Sequence, residues 1–237
     1  MANETTDYNY SKFKPKYYNF YDFKGPKPGE KASDFEAYTL EGNKVNLSDY
    51  FGSWIVLESG SFSCPMYVGN ILDMNTVAKE FKDVTFLVLY VREAHPGSSV
   101  PAQNSIEEKI KHAARLPGEE KENRTIIVDT IDGHAHNLYG SFPDMVYVIN
   151  PEGTVVFRGD WNMPSEVRKV LSTGRDEIHK RDHYEPGKPS LLVAFRVLLR
   201  SGLNSLWDFT IGLPELLSMH KNVDKAYKER NAVESQK

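Results

Sequence analysis

The spacing of hydrophobic positions changes along this chain, and each change marks an element. Short runs rich in β-branched and aromatic residues read as strands: Phe35–Leu40, Trp54–Leu57, Val84–Val91, Thr125–Val128, Met145–Ile149 and Thr154–Arg158. Longer stretches with helical spacing read as helices over Pro65–Phe81, near Ile106–Leu116 and from Ser165 onward. Alternation of this kind predicts a sheet covered by helices. The intervening segments Leu40-Glu-Gly-Asn43 and Asn150-Pro-Glu-Gly153 carry turn chemistry.

The two ends follow other patterns. Residues 1–31 are rich in Tyr, Phe, Lys and Pro without a steady period (Tyr8, Tyr10, Phe13, Tyr17, Tyr18, Phe20, Tyr21, Phe23) and read as an arm that packs aromatics onto a body. Residues 32–174 hold the alternating region. Residues 175–237 open with a polar linker ending in Pro186-Gly-Lys-Pro189, followed by an apolar helix over Leu191–Leu199. A second segment, Leu203–Leu217, is expected to break at Gly212 and Pro214, and the charged stretch after Lys221 to fray. These last helices are expected to pack on the body or to self-associate, with a homodimer in view.

Composition narrows the class. With 237 residues, 40% hydrophobic and 26% charged, the chain can bury one substantial core. A net charge of −4 leaves no electrostatic footprint for nucleic acid or an anionic membrane. No apolar run reaches the roughly 20 residues that span a bilayer, and the first residues lack a signal-peptide pattern, so a cytoplasmic location is expected. One cysteine permits no internal disulfide.

That cysteine, Cys64, falls where a strand runs through Glu58-Ser-Gly-Ser-Phe-Ser63 into Pro65 and a helix. A helix N-terminus favours thiolate over thiol, and Pro65 suits the first helical turn. A lone cysteine is otherwise a small buried hydrophobe. Ser61 and Ser63 could donate hydroxyls to the sulfur, or be ordinary turn serines. Glu93 and His95 alternate along an extended segment, so a carboxylate and an imidazole share a face and could relay a proton. Tyr90 could add its hydroxyl, or be a rim aromatic. His134 and His136, on a helix predicted after Asp129 and Asp132, lack a third ligand at sensible spacing, so no metal is expected.

Three segments, Gly60-Ser-Phe-Ser-Cys-Pro65, Tyr90-Val-Arg-Glu-Ala-His-Pro96 and Tyr139-Gly-Ser-Phe-Pro-Asp-Met-Val-Tyr-Val-Ile149, are similar in order and spacing to the iodothyronine deiodinase family. The opening Pro28-Gly-Glu-Lys-Ala-Ser-Asp-Phe35 resembles that of redoxins and peroxiredoxins. The resemblance covers roughly residues 28–171. It implies an α/β thioredoxin-like fold, a central mixed sheet flanked by helices, with cysteine where the family usually has selenocysteine. It also implies that Pro143 holds the place of a cis-proline facing the cysteine.

Several positions depart from the related patterns. The residue three after Cys64 is Tyr67 rather than a second cysteine, so an oxidised sulfur would need an external thiol, glutathione or a redox protein. Peroxiredoxins have Pro and Thr where Leu57 and Ser61 stand. A second substrate-holding His of deiodinases aligns with Gln103, and a substrate-holding Arg with the region of Asp160 and Trp161.

The sequence therefore points to a single-cysteine oxidoreductase without a bound cofactor. Cys64 attacks the iodine of an iodinated aromatic, Glu93 and His95 deliver a proton, and Ser61, Ser63 and Tyr90 support them. Phe62, Pro143, Gln103 and Trp161 are candidate substrate contacts. The alternatives are a one-cysteine thiol peroxidase and a redox-inactive binding module.

Overall fold

The computed structural model describes residues 8–20, 24–175, 177–179 and 189–234. Tyr21, Phe23 and most of the 175–189 linker lie outside the described residues. Seven strands form one sheet: β1 (Glu36–Tyr38), β2 (Lys44–Asn46), β3 (Trp54–Gly60), β4 (Val84–Tyr90), β5 (Thr125–Asp129), β6 (Val146–Ile149) and β7 (Val155–Gly159). Their order is β2-β1-β5-β4-β3-β6-β7. The central three are parallel and the remaining pairs antiparallel, which makes the sheet mixed, as expected.

Turn chemistry worked as read. The first run holds β1, which pairs across the Leu40–Asn43 turn, with Gly42 at φ +82°, to a strand β2 not read in the sequence, and β6–β7 closes through Gly153 at φ +73°. Strand β3 is longer than expected. It continues through Glu58 to Gly60, because these residues pair with both Val88–Tyr90 and the start of β6.

Alternate residues of the central strands feed two cores. Ile55, Leu57, Leu87, Leu89 and Ile127 face the aromatic arm, while Val56, Phe86, Val88 and Tyr90 face helices. Both faces are covered, so β3 and β4 read as continuous apolar runs. Full burial of each such side chain contributes about 1.5–3 kcal/mol. The helical side is built from α1 (Pro65–Glu80), α2 (Ile106–Ala113), α3 (Leu116–Glu120), α5 (Pro164–Thr173) and α6 (Leu191–Ser201), with a short α4 (His134–Leu138) before β6.

The arm packs on its own body: Tyr10, Phe13, Tyr18 and Phe20 are buried in the core that holds Leu57 and Leu89. The last helix departs most from expectation. Rather than breaking at Gly212 and Pro214 and fraying after Lys221, α7 runs from Leu203 to Glu234. Gly212 is a point of close approach, where a Cβ would stand 3.1 Å from Pro15 and 3.2 Å from Phe13. Pro214 lies on the exposed side, where solvent can take the carbonyl it frees. Leu191, Leu192, Phe195, Leu203, Trp207 and Ile211 of α6 and α7 remain exposed. No described helix is long and apolar enough to cross a membrane.

Candidate active site

Cys64 caps the N-terminus of α1 with extended backbone (φ −92°, ψ 109°), and Pro65 takes the first helical position. The turn is tight because Gly60 lies under the Tyr67 ring, 2.4 Å from where a Cβ would be. Cys64 makes no side-chain capping hydrogen bond, although the backbone N–H groups of Met66 and Tyr67 in the first turn of α1 act to lower its pKa, the helix-terminal influence the sequence predicts. The expected result does not follow. Cys64 is 1% exposed, and burial pushes its thiol well above the ordinary range, with the nearby Asp144 carboxyl adding to the rise. Desolvation outweighs the two N–H groups, so the sulfur is neither ionised nor reachable in this conformation.

Glu93 is the hub beside it. Its Oε2 accepts from the Ser63 N–H at 2.9 Å and the Ser63 hydroxyl at 2.5 Å. Its Oε1 accepts from the Tyr90 hydroxyl, from Gln103 Nε2 at 2.9 Å and from His112 Nδ1 at 3.1 Å. The Ser63, Tyr90 and Gln103 groups all donate to this one carboxyl, and His112 Nδ1 lies within hydrogen-bond reach of both Glu93 and Gln103. Ser63 therefore commits its hydroxyl to Glu93 rather than to the sulfur. Ser61 accepts from the Ala94 N–H at 3.2 Å, tying the cysteine loop to the Glu-Ala-His segment. Parallel pairing of Gly60 with Tyr90 places the two loops side by side.

His95 is not the relay partner of Glu93. Its N–H donates to Ser63 Oγ at 3.1 Å, but its ring packs on Phe13 (4.3 Å between centroids) and Phe209 (5.3 Å). Nδ1 has no partner among the described residues, and burial alone lowers the imidazole pKa to about 3. The imidazole that reaches Glu93 is that of His112. The only sequence signal for it is its place on the flank of an amphipathic helix, next to the buried Lys109 and Ala113.

The four candidate substrate contacts are all enclosed. Phe62 is fully buried, with the Arg200 guanidinium 3.6 Å and that of Arg115 4.1 Å from its ring centroid. Gln103 serves Glu93. Trp161 is 5% exposed and packs against Phe20, Phe142 and His220. Pro143 is buried, and no peptide bond among the described residues is cis, contrary to the geometry the resemblance implies.

A second polar cluster went unread in the sequence. Arg124 bridges Glu58 and Glu122, all three buried, while Tyr67 donates to Glu122 at 2.8 Å and Asn162 to Glu58 at 2.6 Å. Burial raises both Glu58 and Asp144, and Asp144 rises further because Glu58 faces it, while Arg124 pulls Glu58 back. A cavity of about 300 Å³ borders this cluster, lined by Met66, Asn70, Asn162, Met163 and Val193, but neither Cys64 nor Glu93 lines it. No group of three metal-ligating side chains occurs among the described residues. His136 bonds the Tyr8 hydroxyl at 2.9 Å and the Phe142 carbonyl at 2.7 Å.

The sheet, with a cysteine at the N-terminus of the helix after β3, defines a thioredoxin-like protein. Two solved structures share that fold. One is a thiol:disulfide interchange protein of the DsbE type from Chlorobium tepidum (TM-score 0.50, 19% identity, 64% of this chain and 96% of that one). The other is an uncharacterized conserved protein from Geobacillus kaustophilus (TM-score 0.52, 14% identity, 69% and 88%).

The chain belongs to the iodothyronine deiodinase family, whose model matches residues 4–174 and so takes in most of the arm. It is 27% identical over 174 residues to thyroxine 5-deiodinase of Bos taurus, covering 66% of this chain and 57% of that protein. Against thyroxine 5-deiodinase of Gallus gallus it is 27% identical over 172 residues, covering 67% and 66%. The chain therefore spans a little over half the length of several of these relatives.

Proposed function

We propose that the protein removes iodide reductively from an iodinated aromatic, with Cys64 as nucleophile and a small thiol as reductant. The family match over residues 4–174, with Cys64 capping α1 beside the Glu93 network, carries this reading. In the proposed step the Cys64 thiolate attacks iodine and forms an S–I bond. The C–I electron pair stays on the ring carbon, which takes a proton. A thiol then attacks the sulfenyl iodide, releasing iodide and a proton and leaving a mixed disulfide. A second thiol returns Cys64 and departs as a disulfide. Donors gathered on Glu93 (Tyr90, Ser63 and His112) are the groups that can pass the proton, with His112 in the place first given to His95.

The test is iodide release from 2,6-diiodophenol in excess dithiothreitol, comparing Cys64→Ser with the parent. Release that depends on Cys64 supports the reading; equal release ends it. Burial of the sulfur favours a second reading, a redox-inactive module. Under it, Cys64 would resist thiol reagents even with substrate present, and no iodide would form.

A further inference from the structure

The arm follows a definite path. Asn9 donates to the Ile131 carbonyl at 2.6 Å, Tyr10 to the Ala94 carbonyl at 2.9 Å, Phe13 covers the His95 ring, and Phe20 reaches Phe142. It thus crosses the carboxyl ends of β5 and β4 and the approach to β6. Sheets with a parallel core bind ligands at those ends, and Cys64 follows the end of β3.

What the arm places there is chemically specific. The Tyr10 and Tyr18 hydroxyls are 2.6 Å apart, and the Tyr10 ring stacks on Tyr17 at 4.8 Å. The Arg92 guanidinium lies 5.0, 4.8 and 5.3 Å from the ring centroids of Tyr8, Tyr10 and Tyr18. The surface beneath the arm therefore holds phenols with a cation at their side.

The fit is incomplete. Arg92 Nε, His95 Nδ1 and Asn9 Oδ1 are buried without partners among the described residues, all at this one interface. Buried polar atoms are normally satisfied; other unpartnered atoms lie elsewhere among the described residues, and what these three share is one contact surface, where Arg92 still has an Nε to offer beyond its bond to the Tyr8 carbonyl.

We propose that the space filled by Tyr10, Phe13 and Tyr18 is the ring site for a halogenated phenol, with Arg92 recognising its phenolate, and that residues 8–20 leave for the ring to reach Cys64. This rests on the deiodinase reading above and names the substrate class and the gate of that same site. Iodine beside a hydroxyl makes the phenol more acidic, so the natural ligand of Arg92 is an aryl oxide. The arm's own phenols are neutral stand-ins.

Two readouts test the proposal without using iodide release. The first is hydrogen exchange of the parent protein. Saturating 2,6-diiodophenol lowers protection of residues 8–20 while β3–β5 stay protected; unchanged protection of the arm overturns the proposal. The second is maleimide labelling of Cys64. Phe13→Ala, with native circular dichroism, labels at least tenfold faster than the parent, and an unchanged rate overturns it. Arg92→Gln weakens 2,6-diiodophenol binding at least tenfold and 2,6-diiodoanisole binding little; equal losses remove Arg92 from the site. An arm that responds in a protein releasing no iodide refutes the catalytic reading alone.

Discussion

Glu93→Gln keeps the side chain's shape and removes its charge, which isolates the carboxylate's role as a shared acceptor. In the native protein Oε2 takes the Ser63 N–H and hydroxyl, and Oε1 takes Tyr90, Gln103 and His112. A glutamine brings one acceptor oxygen and an NH2 that must face donors. Turned toward Ser63, that NH2 meets a backbone N–H that cannot rotate away. Turned the other way, it meets the Gln103 amide and the His112 N–H. Either choice orphans at least one buried donor, at about 1–3 kcal/mol, and reduces the remaining charge-assisted bonds by roughly 1 kcal/mol each.

The expected destabilisation is about 3–5 kcal/mol, a large share of the 5–15 kcal/mol typical of a domain. Urea unfolding followed by circular dichroism at pH 7 measures it. With a slope of about 2 kcal/mol/M, the midpoint falls by roughly 1.5–2.5 M. A shift under about 0.5 M at the same slope would show that the five donors do not depend on the charge, and the hub assignment would fail.

Three other changes test neighbouring parts. Arg124→Met leaves Glu58 and Glu122 in the interior without their cation, a loss of about 3–5 kcal/mol at pH 7 that shrinks toward pH 5 as the raised Glu58 carboxyl takes up a proton; a loss independent of pH in thermal melts refutes the charge argument. Gly60→Ala drives a Cβ into the Tyr67 ring, which its bond to Glu122 holds in place, and costs about 1–3 kcal/mol; an unchanged melting temperature would mean the turn can relax. His95 gains a proton near pH 6.5 when unfolded but only near 3 when folded, so stability falls as pH drops through that window. Between pH 7 and 5 the parent loses about 2 kcal/mol more than His95→Phe. Parallel denaturation curves for the two proteins would place the imidazole in water.

The fold was legible because its signals are local. Val84–Val91 reads as a strand from its own residues, and its pairing beside the cysteine strand brings Glu93 to Ser63. His112 was not legible, since it reaches Glu93 from a helix that only tertiary packing aims. The Glu58–Arg124–Glu122 cluster joins a near pair, Glu122 and Arg124, to Glu58 on β3, far earlier in the chain, and no motif announces it. Gly212 and Pro214 misled for a related reason. Their helix-breaking propensity is real, but the close approach of the arm and the exposed position of the proline override it in place. The state of the thiol was not legible because its loop predicts a helix N-terminus and says nothing about burial among Phe62, Tyr67, Val68 and the distant Val197.

That burial also bears on the chemistry of having one cysteine. The N-terminus of α1 stays beside the sulfur whatever the arm does, whereas desolvation depends on what packs around it. Under the proposed arm release, a rehydrated Cys64 would sit at the open N-terminus of α1, so opening the site and ionising its nucleophile would become a single step. The reverse also holds: while the arm is seated, the sulfur is a neutral thiol shielded from oxidants. A chain with a second cysteine could trap a sulfenic acid as a disulfide, but this one has none, and further oxidation would be irreversible. Keeping the thiol closed and protonated until a phenol displaces the arm's own phenols confines its reactive form to the moments when a substrate is present.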